Sequence, residues 1–336
     1  TLLQPGDEIV SSAHLYGGTA TQFTHTFQKM GVTVKFVDPG DFEAWERAIT
    51  PKTRALYGET IGNPKGSILD IERLAQLANA HRIPLIVDNT FATPYLCRPI
   101  EWGATIVVHS ATKFIGGHGN SIAGVVVESG KFDYSHFPTI AAPSGAYHGL
   151  KFYETFGHYG FLMKLRAETL RDVGACLSPF NAFLLIQGLE TLSVRMERHV
   201  ANAHAVARFL SEHPRVAWVA YAGLPDHPDH ALAKKYTPLG PGAVFSFGIK
   251  PPAGMDAREA GKRFIQGLQL FSHLANVGDV RSLVIHPAST THQQLSDEEL
   301  RLAGIGAEMI RLSIGLETVD DLLWDLDRAL WSIDKE

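Results

Sequence analysis

The first 128 residues alternate between short apolar runs and stretches with helical periodicity, and this alternation restricts the possible fold more than any other feature. Three runs rich in β-branched residues are each followed by a helical stretch: 8–11 by 19–30, 33–37 by 42–49, and 54–57 by 71–81. Such alternation is typical of α/β proteins with a mostly parallel sheet. We therefore predict a sheet of parallel strands covered by helices.

Two further apolar runs end in polar residues. Residues 84–87 and 105–108 are nearly continuous apolar segments, which predict strands buried on both faces. Asp88 follows the first run, and the segment 109–113 follows the second. Open α/β sheets bind ligands at the carboxyl ends of their strands. We therefore expect Asp88 and Lys113 to lie in one crevice.

The pattern changes after residue 151. Apolar residues recur every three or four positions between Leu189 and Leu210, which predicts a long amphipathic helix. Beyond it we predict strands at 216–221 and 244–249, a helix at 257–268, and strands near Phe271, Leu283 and Met309. Ser296 with Glu299, and Thr318 with Asp321, resemble helix N-terminal caps. The expected domains are a large domain 1–160, connecting helices at 161–211, and a smaller C-terminal α/β domain 212–336.

Composition excludes several classes of protein. With 336 residues, 45% hydrophobic and 19% charged, the chain should be globular. The net charge of −5 arises from interspersed acids and bases, so nucleic acid is not an expected partner. No apolar run approaches the roughly 20 residues that cross a bilayer. Two cysteines fit a reducing compartment, with cytoplasm as the default, and the opening segment from Thr1 reads like a chain that continues upstream.

The residues at the two strand ends match what pyridoxal phosphate requires. That cofactor needs an amine, a carboxylate for its pyridine nitrogen, hydroxyl or amide donors for its phosphate, and an aromatic ring to stack on. Lys113 supplies an amine, Asp88 a carboxylate, and Ser110 and Thr112 hydroxyls within three residues of the lysine. Taken singly, Asp88 also fits a turn or helix cap, and Lys113 a solvated loop lysine.

The segments Val87–Phe91 and His109–Phe114 resemble the signature of the pyridoxal-phosphate enzymes of cysteine and methionine metabolism. Further segments resemble blocks of that family in the same order: 15–19, 59–60 with 63–64, 177–182, 286–292 and 310–313. The resemblance implies an aminotransferase-like fold of type I, with a seven-stranded, mostly parallel sheet and a smaller C-terminal α/β domain. It also implies pyridoxal 5′-phosphate as cofactor.

The resemblance also implies a role for individual residues. It makes Lys113 the Schiff-base lysine, Asp88 the partner of the pyridine nitrogen, Tyr16 the stacked ring, Asn63 a contact of the cofactor's 3-hydroxyl, Ser110 and Thr112 phosphate ligands, and Arg311 the clamp of the substrate carboxylate. Taken alone, Tyr16 also fits core packing, Asn63 a turn residue, and Arg311 a surface ion pair. Phosphate contacts from an upstream segment and a neighbouring subunit are expected as well.

Within the family, segments such as 116–120 and 272–279 are most similar to O-acetylhomoserine sulfhydrylases. Asn276 stands near the expected carboxylate site, where other members more often carry serine. The implied reaction is γ-replacement on O-acetyl-L-homoserine by sulfide, with Lys113 and Tyr16 moving protons, in a homotetramer of active dimers. Cystathionine γ-synthase and methionine or cystathionine γ-lyase activities remain alternatives on the same scaffold.

Two other enzyme classes explain the sequence less well. A Rossmann-type dehydrogenase predicts a glycine fingerprint after the first strand, whereas the segment 11–14 reads Ser-Ser-Ala-His. A metalloenzyme would use clustered ligands, but the 16 histidines are scattered and form no His-Glu-x-x-His pair. No metal is therefore expected.

Overall fold

The computed structural model describes residues 1–63, 66–290 and 305–334, and these form two β-sheets. The strands of the first sheet are β1 (Glu8–Ser12), β2 (Thr33–Val37), β3 (Thr53–Glu59), β4 (Leu85–Asp88), β5 (Ile106–Ser110) and β6 (Gly124–Glu128). Their order is β2-β1-β3-β4-β5-β6. The first five strands are parallel and β6 is antiparallel to β5, which confirms the predicted mostly parallel sheet.

The described residues supply six strands to this sheet, where seven were expected. After β6 the chain forms helices and turns as far as Glu212, and none of the described segments there pairs with either edge of the sheet. The edge strands are therefore β2 and β6 within the described part of the chain. In this order the parallel strands β3, β4 and β5 are neighbours, so their carboxyl ends lie side by side.

Helices pack on the first sheet through buried apolar faces. Asp70 accepts a hydrogen bond from Arg73 N and begins the helix Ile71–Ala80, whose residues Ile71, Leu74, Ala75 and Ala78 are buried. Asp41 begins the helix Phe42–Ala48 in the same way, through Ala44 N. The stretch predicted as one helix at 19–30 begins earlier and has three parts: Gly17–Thr21, a π-helical turn Gln22–Thr26, and Phe27–Lys29.

The second sheet is mostly antiparallel. Its strands are β7 (Val216–Ala220), β8 (Val244–Ile249), β9 (Ser272–His273), β10 (Leu283–Ile285) and β11 (Met309–Ser313), in the order β7-β8-β11-β10-β9. The helices Ala257–Gly267 and Val319–Ser332 pack together against it. Thr318 precedes the last helix as predicted, but its side chain makes no capping bond. The cap predicted at Ser296 and Glu299 lies outside the described residues.

Two helices, Pro179–Glu190 and Leu192–Glu212, connect the sheets, and the second covers all but the first three residues of the helix predicted from Leu189 to Leu210. The helix is interrupted at Thr191, whose ψ of 6° leaves the helical range. The remaining α-helices are short: Thr93–Leu96, Pro138–Ala141, Phe152–Phe156, Gly160–Lys164, Arg171–Val173 and His230–Tyr236. One cluster of buried apolar side chains joins both sheets through Leu192–Glu212. None of the described helices is long and apolar enough to cross a membrane.

Candidate active site

One cavity of about 300 Å³ collects every residue that the sequence marked as a site residue. These are Tyr16, Asn63, Asp88, Ser110, Thr112, Lys113, Asn276 and Arg311. The cavity lies at the carboxyl ends of β3, β4 and β5, and β11 closes its other side. Its volume is at the lower end of the range for small-molecule sites. A larger cleft of about 800 Å³, near Asp70 and Trp218, contains none of these residues.

Lys113 lies in a tight turn directly after β5. Its backbone N–H donates to Ser110 O, and its carbonyl accepts from Gly117 N at 2.7 Å. Its Nζ donates a short hydrogen bond to Asn276 Oδ1. Burial, followed by the nearby charge of Arg311, lowers the pKa of Lys113 below its ordinary value. Both causes disfavour the ammonium form, so the amine is more available as a nucleophile and base.

Gly278 allows the loop that carries Asn276 to approach the lysine closely. Its φ is +75°, and a Cβ at this position would lie 2.9 Å from Cβ of Lys113 and 2.7 Å from Phe114 N. Any side chain here would therefore displace the backbone that follows β5. Gly278 N also donates to Ser313 Oγ at 3.0 Å, which ties the loop to β11.

Asp88 and Glu59 form a pair of carboxyl groups at the bottom of the cavity. The register of β3 and β4 sets them opposite each other. Asp88 Oδ1 accepts from Thr90 N at 2.9 Å, and burial raises the pKa of Asp88 despite that bond. Burial and the charge of Asp88 raise the pKa of Glu59 well above its ordinary range. Glu59 was not predicted as a site residue, although it ends an apolar strand just as Asp88 does.

Tyr16 lies at the mouth of the cavity. Its backbone N–H donates to Glu59 Oε1 at 2.6 Å, and its side chain is 57% exposed. The ring lies over Gly18, where a Cβ would be 2.5 Å from Tyr16 Cε1. An exposed ring anchored through its backbone does not fit core packing, because much of its surface is available to a ligand.

The two hydroxyls before Lys113 differ in what they already bind. Ser110 N donates to Thr90 Oγ1 at 2.9 Å, while the Ser110 hydroxyl has no hydrogen-bond partner in the described part of the chain. The Thr112 hydroxyl accepts from Ala123 N at 3.0 Å and donates to Ala123 O at 3.3 Å. Ser110 is therefore free to donate to an anion, whereas Thr112 must exchange a weak bond to do so.

Arg311 projects into the cavity from β11, between β8 and β10. Burial lowers the pKa of this guanidinium to about 10. Within residues 1–63, 66–290 and 305–334 it makes no ion pair and no hydrogen bond, so the surface ion pair considered above is not what the structure shows. A half-buried, unpaired guanidinium is suited to a carboxylate held by two parallel bonds. Asn63, which is buried, lines the same cavity.

This set of groups fits pyridoxal phosphate. The cavity offers an amine of lowered pKa, a carboxylate at the end of the next strand, an unpartnered hydroxyl and an exposed aromatic ring. It also keeps one cation, Arg311, that no part of the described chain neutralises. The five residues Asp88, Ser110, Thr112, Lys113 and Tyr16 are thus brought together with the chemistry that the cofactor needs.

Comparisons with known proteins agree with this geometry. The model of the family of pyridoxal-phosphate-dependent enzymes of cysteine and methionine metabolism matches residues 1–331. A homocysteine synthase of Schizosaccharomyces pombe is 51% identical over 98% of this chain and 77% of its own length. The O-acetyl-L-homoserine sulfhydrylase 1 of Thermus thermophilus is also 51% identical, over 98% and 78%.

A solved structure agrees as well. A Campylobacter jejuni protein described as an O-acetylhomoserine (thiol)-lyase, which carries N′-pyridoxyl-lysine-5′-monophosphate, superposes with a TM-score of 0.93. It is 41% identical, over 98% of this chain and 78% of its own. The aminotransferase-like fold of type I and the cofactor expected from the sequence are thereby confirmed. The chain belongs to the family of pyridoxal-phosphate-dependent enzymes of cysteine and methionine metabolism.

Proposed function

We propose that this chain catalyses γ-replacement on O-acetyl-L-homoserine with sulfide. The Cγ–O bond breaks and acetate leaves, while a Cγ–S bond forms and gives L-homocysteine. The observation that carries the proposal is the unpaired Arg311 facing Lys113 across one cavity, which suits an amino acid bound by its carboxylate. The names of the Thermus and fission-yeast relatives support O-acetylhomoserine as donor and homocysteine as product.

In this proposal five residues besides Lys113, which binds the cofactor covalently, hold pyridoxal phosphate. Asp88 keeps the ring nitrogen protonated, Tyr16 stacks on the ring, Asn63 contacts the 3-hydroxyl, and Ser110 and Thr112 bind the phosphate. When bound, pyridoxal phosphate supplies an electron sink for negative charge developing next to the amino group. The raised pKa of Glu59 reduces the charge that competes with Asp88 at the bottom of the cavity.

Lys113 is the proposed base. Once the substrate amine has replaced it, Lys113 removes the α-proton and then moves protons at the β-carbon, with Tyr16 as its partner. Asn276 Oδ1 accepts from Nζ and so holds the amine while it carries a proton. Arg311 fixes the carboxylate and keeps the α-carbon within reach of one base throughout.

Product analysis tests the reaction. Purified protein is incubated with O-acetyl-L-homoserine and either sulfide or cysteine, and the expected product with sulfide is homocysteine plus acetate. Strong preference for cysteine favours the alternative, cystathionine γ-synthase. Release of ammonia and a keto acid from methionine or cystathionine favours a γ-lyase. O-succinyl-L-homoserine, run in parallel, distinguishes the acyl donor.

Lys113→Ala tests the role of the lysine. We expect the variant to lose the visible absorbance of lysine-bound cofactor and to lose about 10³-fold or more in kcat, since a nucleophile and a base are removed together. Lys151→Ala is the matched control, because Lys151 is exposed and pairs with Glu154. Visible absorbance retained in Lys113→Ala shows that another lysine carries the cofactor.

We also propose the homotetramer of active dimers and the cytoplasmic location expected from the sequence. Support for assembly comes from the helix Pro179–Glu190, where Phe180, Phe183, Ile186 and Leu189 are each more than half exposed. Its Gly188 packs on the turn after Lys113, since a Cβ there would lie 2.5 Å from Ile115 O. A partner on this helix therefore lies close to the site. Light scattering measures the assembly.

A further inference from the structure

A polar stripe on one helix contacts both sides of the active site. Along Leu192–Glu212, the residues Arg195, His199 and Asn202 recur at intervals of four and three, so they lie on one face. All three are buried. The site residues already described do not include them, and none of them lines the cavity around Lys113.

Arg195 contacts the Lys113 side. Its Nη1 donates to Phe114 O at 2.6 Å, and its Nη2 donates to Ile115 O at 3.2 Å and to Gly188 O at 2.6 Å. Phe114 is the residue next to Lys113. Among the described residues Arg195 has no carboxylate partner, so its bonds go to main-chain carbonyls alone, apart from Thr191 Oγ1.

His199 and Asn202 contact the Arg311 side. His199 Nδ1 donates to Ile314 O at 2.7 Å, and Asn202 Nδ2 donates to Gly315 O at 3.0 Å and to Glu317 O at 2.9 Å. Ile314 follows β11, three residues after Arg311. The imidazole also meets the ring of Phe114 edge-on at 5.1 Å. One helix therefore holds the backbone beside both functional side chains.

A buried cation bonded only to neutral groups costs free energy, and an apolar side chain of similar size would avoid that cost. Buried hydrogen-bonded groups of this kind hold the backbone that they bind in one position. This matters near an active site, because small displacements of reacting groups lower the reaction rate by large factors. We propose that Arg195, His199 and Asn202 are positioning residues that hold Lys113 and Arg311 at a fixed separation, Arg195 acting on the lysine and the other two on the arginine.

This inference rests on the proposed roles of Lys113 and Arg311, and glycine is a suitable probe of both. Glycine has the amine and the carboxylate of an amino acid but no leaving group. Its apparent Kd is read from the change in visible absorbance of the holoenzyme, and the absorbance before addition reports on lysine-bound cofactor. Failure of the sulfhydrylase reaction appears in product analysis alone and leaves this binding measurement interpretable.

Three variants and one control distinguish the Lys113 side of the stripe from the Arg311 side. His199→Phe keeps a ring against Phe114 but removes the donor to Ile314 O, and we expect the glycine Kd to rise about fivefold or more with cofactor absorbance unchanged. His199→Asn restores an N–H donor and should bring the Kd back toward wild type. Arg195→Lys should shift the pH midpoint of the cofactor absorbance and should change the apparent Kd for glycine less than His199→Phe does. Arg208→Lys, on the exposed face of the same helix, is the control.

Thermal unfolding of each holoenzyme is measured alongside, and Asn202→Leu provides a second test of the Arg311 side if His199→Phe does not fold. The proposal is overturned if His199→Phe and Arg195→Lys change both quantities in the same proportion, which is the behaviour of a general loss of stability. It is also overturned if neither variant changes either quantity, or if His199→Asn binds glycine as weakly as His199→Phe.

Discussion

Glu59 and Asp88 end neighbouring parallel strands in direct register, so two carboxyl groups share the bottom of the cavity. Two such groups in a buried site do not both ionise without a large cost. Burial and Asp88 raise the pKa of Glu59 well above its ordinary range, while Asp88 is supported by bonds from Thr90. We therefore expect Glu59 to be the protonated member of the pair, and Asp88 to be the charged one.

Replacing Glu59 by glutamine tests this assignment through stability. A glutamine keeps the acceptor for Tyr16 N and cannot ionise. The folded-state pKa of Glu59 lies above its ordinary value of 4.5, so above pH 4.5 the folded state holds a proton that the unfolded state releases. The unfolding free energy of the wild type then falls as pH rises, by up to about 1.4 kcal/mol per pH unit.

The Glu59→Gln variant should not show this fall in unfolding free energy with rising pH. We expect the difference in unfolding free energy, Glu59→Gln minus wild type, to be larger at about pH 8 than at about pH 5 in urea titrations. Glu101→Gln, at an exposed carboxylate outside the cavity, controls for replacing an acid by its amide. A pH-independent difference for Glu59→Gln would show that Glu59 is ionised in the folded protein.

The bond from Lys113 Nζ to Asn276 Oδ1 predicts a second pH effect. An acceptor favours the ammonium form, so its removal in Asn276→Ala should lower the pKa of Lys113 further. An ionised carboxylate in Asn276→Asp should raise it. The pH at which cofactor-free protein captures pyridoxal phosphate at half its maximal rate should shift downward in the first variant and upward in the second. Shifts of the same sign in both would contradict the contact.

Much of the fold followed from apolar periodicity. The parallel strands were predicted because continuous apolar runs such as 84–87 and 105–108 suit strands buried on both faces. The break at Thr191 was missed, since apolar spacing continues across it and only the backbone departs from helix. The π-helical turn Gln22–Thr26 was missed for the same reason. Hydrophobic spacing reports which face is buried, not the local backbone dihedral angles.

The sequence predicted some of the residues in and around the cavity but not others. Lys113 and Asp88 were found because each follows a buried strand. Glu59 satisfies the same criterion but was not selected, because its importance depends on the β3–β4 register, which relates residues far apart in the chain. The polar stripe of Arg195, His199 and Asn202 was not predicted either. Its partners, such as those of Arg195, are main-chain carbonyls, which no pattern of side chains in the sequence reveals.

Arg311 provides a prediction about substrate binding. In Arg311→Lys a single ammonium replaces the planar fork that holds a carboxylate by two bonds. We expect KM for the amino-acid substrate to rise about 10- to 100-fold, with a smaller change in kcat. Arg98→Lys, an exposed arginine paired with Glu101, should leave both constants unchanged. An unchanged KM in Arg311→Lys would place the carboxylate elsewhere.

Variants of Ser110 and Thr112 should affect cofactor binding and stability differently. Only the Thr112 hydroxyl already makes hydrogen bonds within the described chain. In Thr112→Ala, Ala123 N loses its acceptor, so the unfolding free energy of the cofactor-free protein should fall by about 1 kcal/mol. Ser110→Ala removes a hydroxyl without a partner in the described chain, so the same measurement should change little.

Titration with pyridoxal phosphate then completes the comparison. Both variants should bind the cofactor more weakly, and Ser110→Ala at least as weakly as Thr112→Ala, since the serine donates without giving up another bond. Urea unfolding without cofactor and absorbance titration with it give the two quantities independently. If Ser110→Ala binds the cofactor as tightly as wild type, the hydroxyl of Ser110 is not a phosphate ligand. If it destabilises the cofactor-free protein as much as Thr112→Ala does, the hydroxyl of Ser110 already has a partner in the protein.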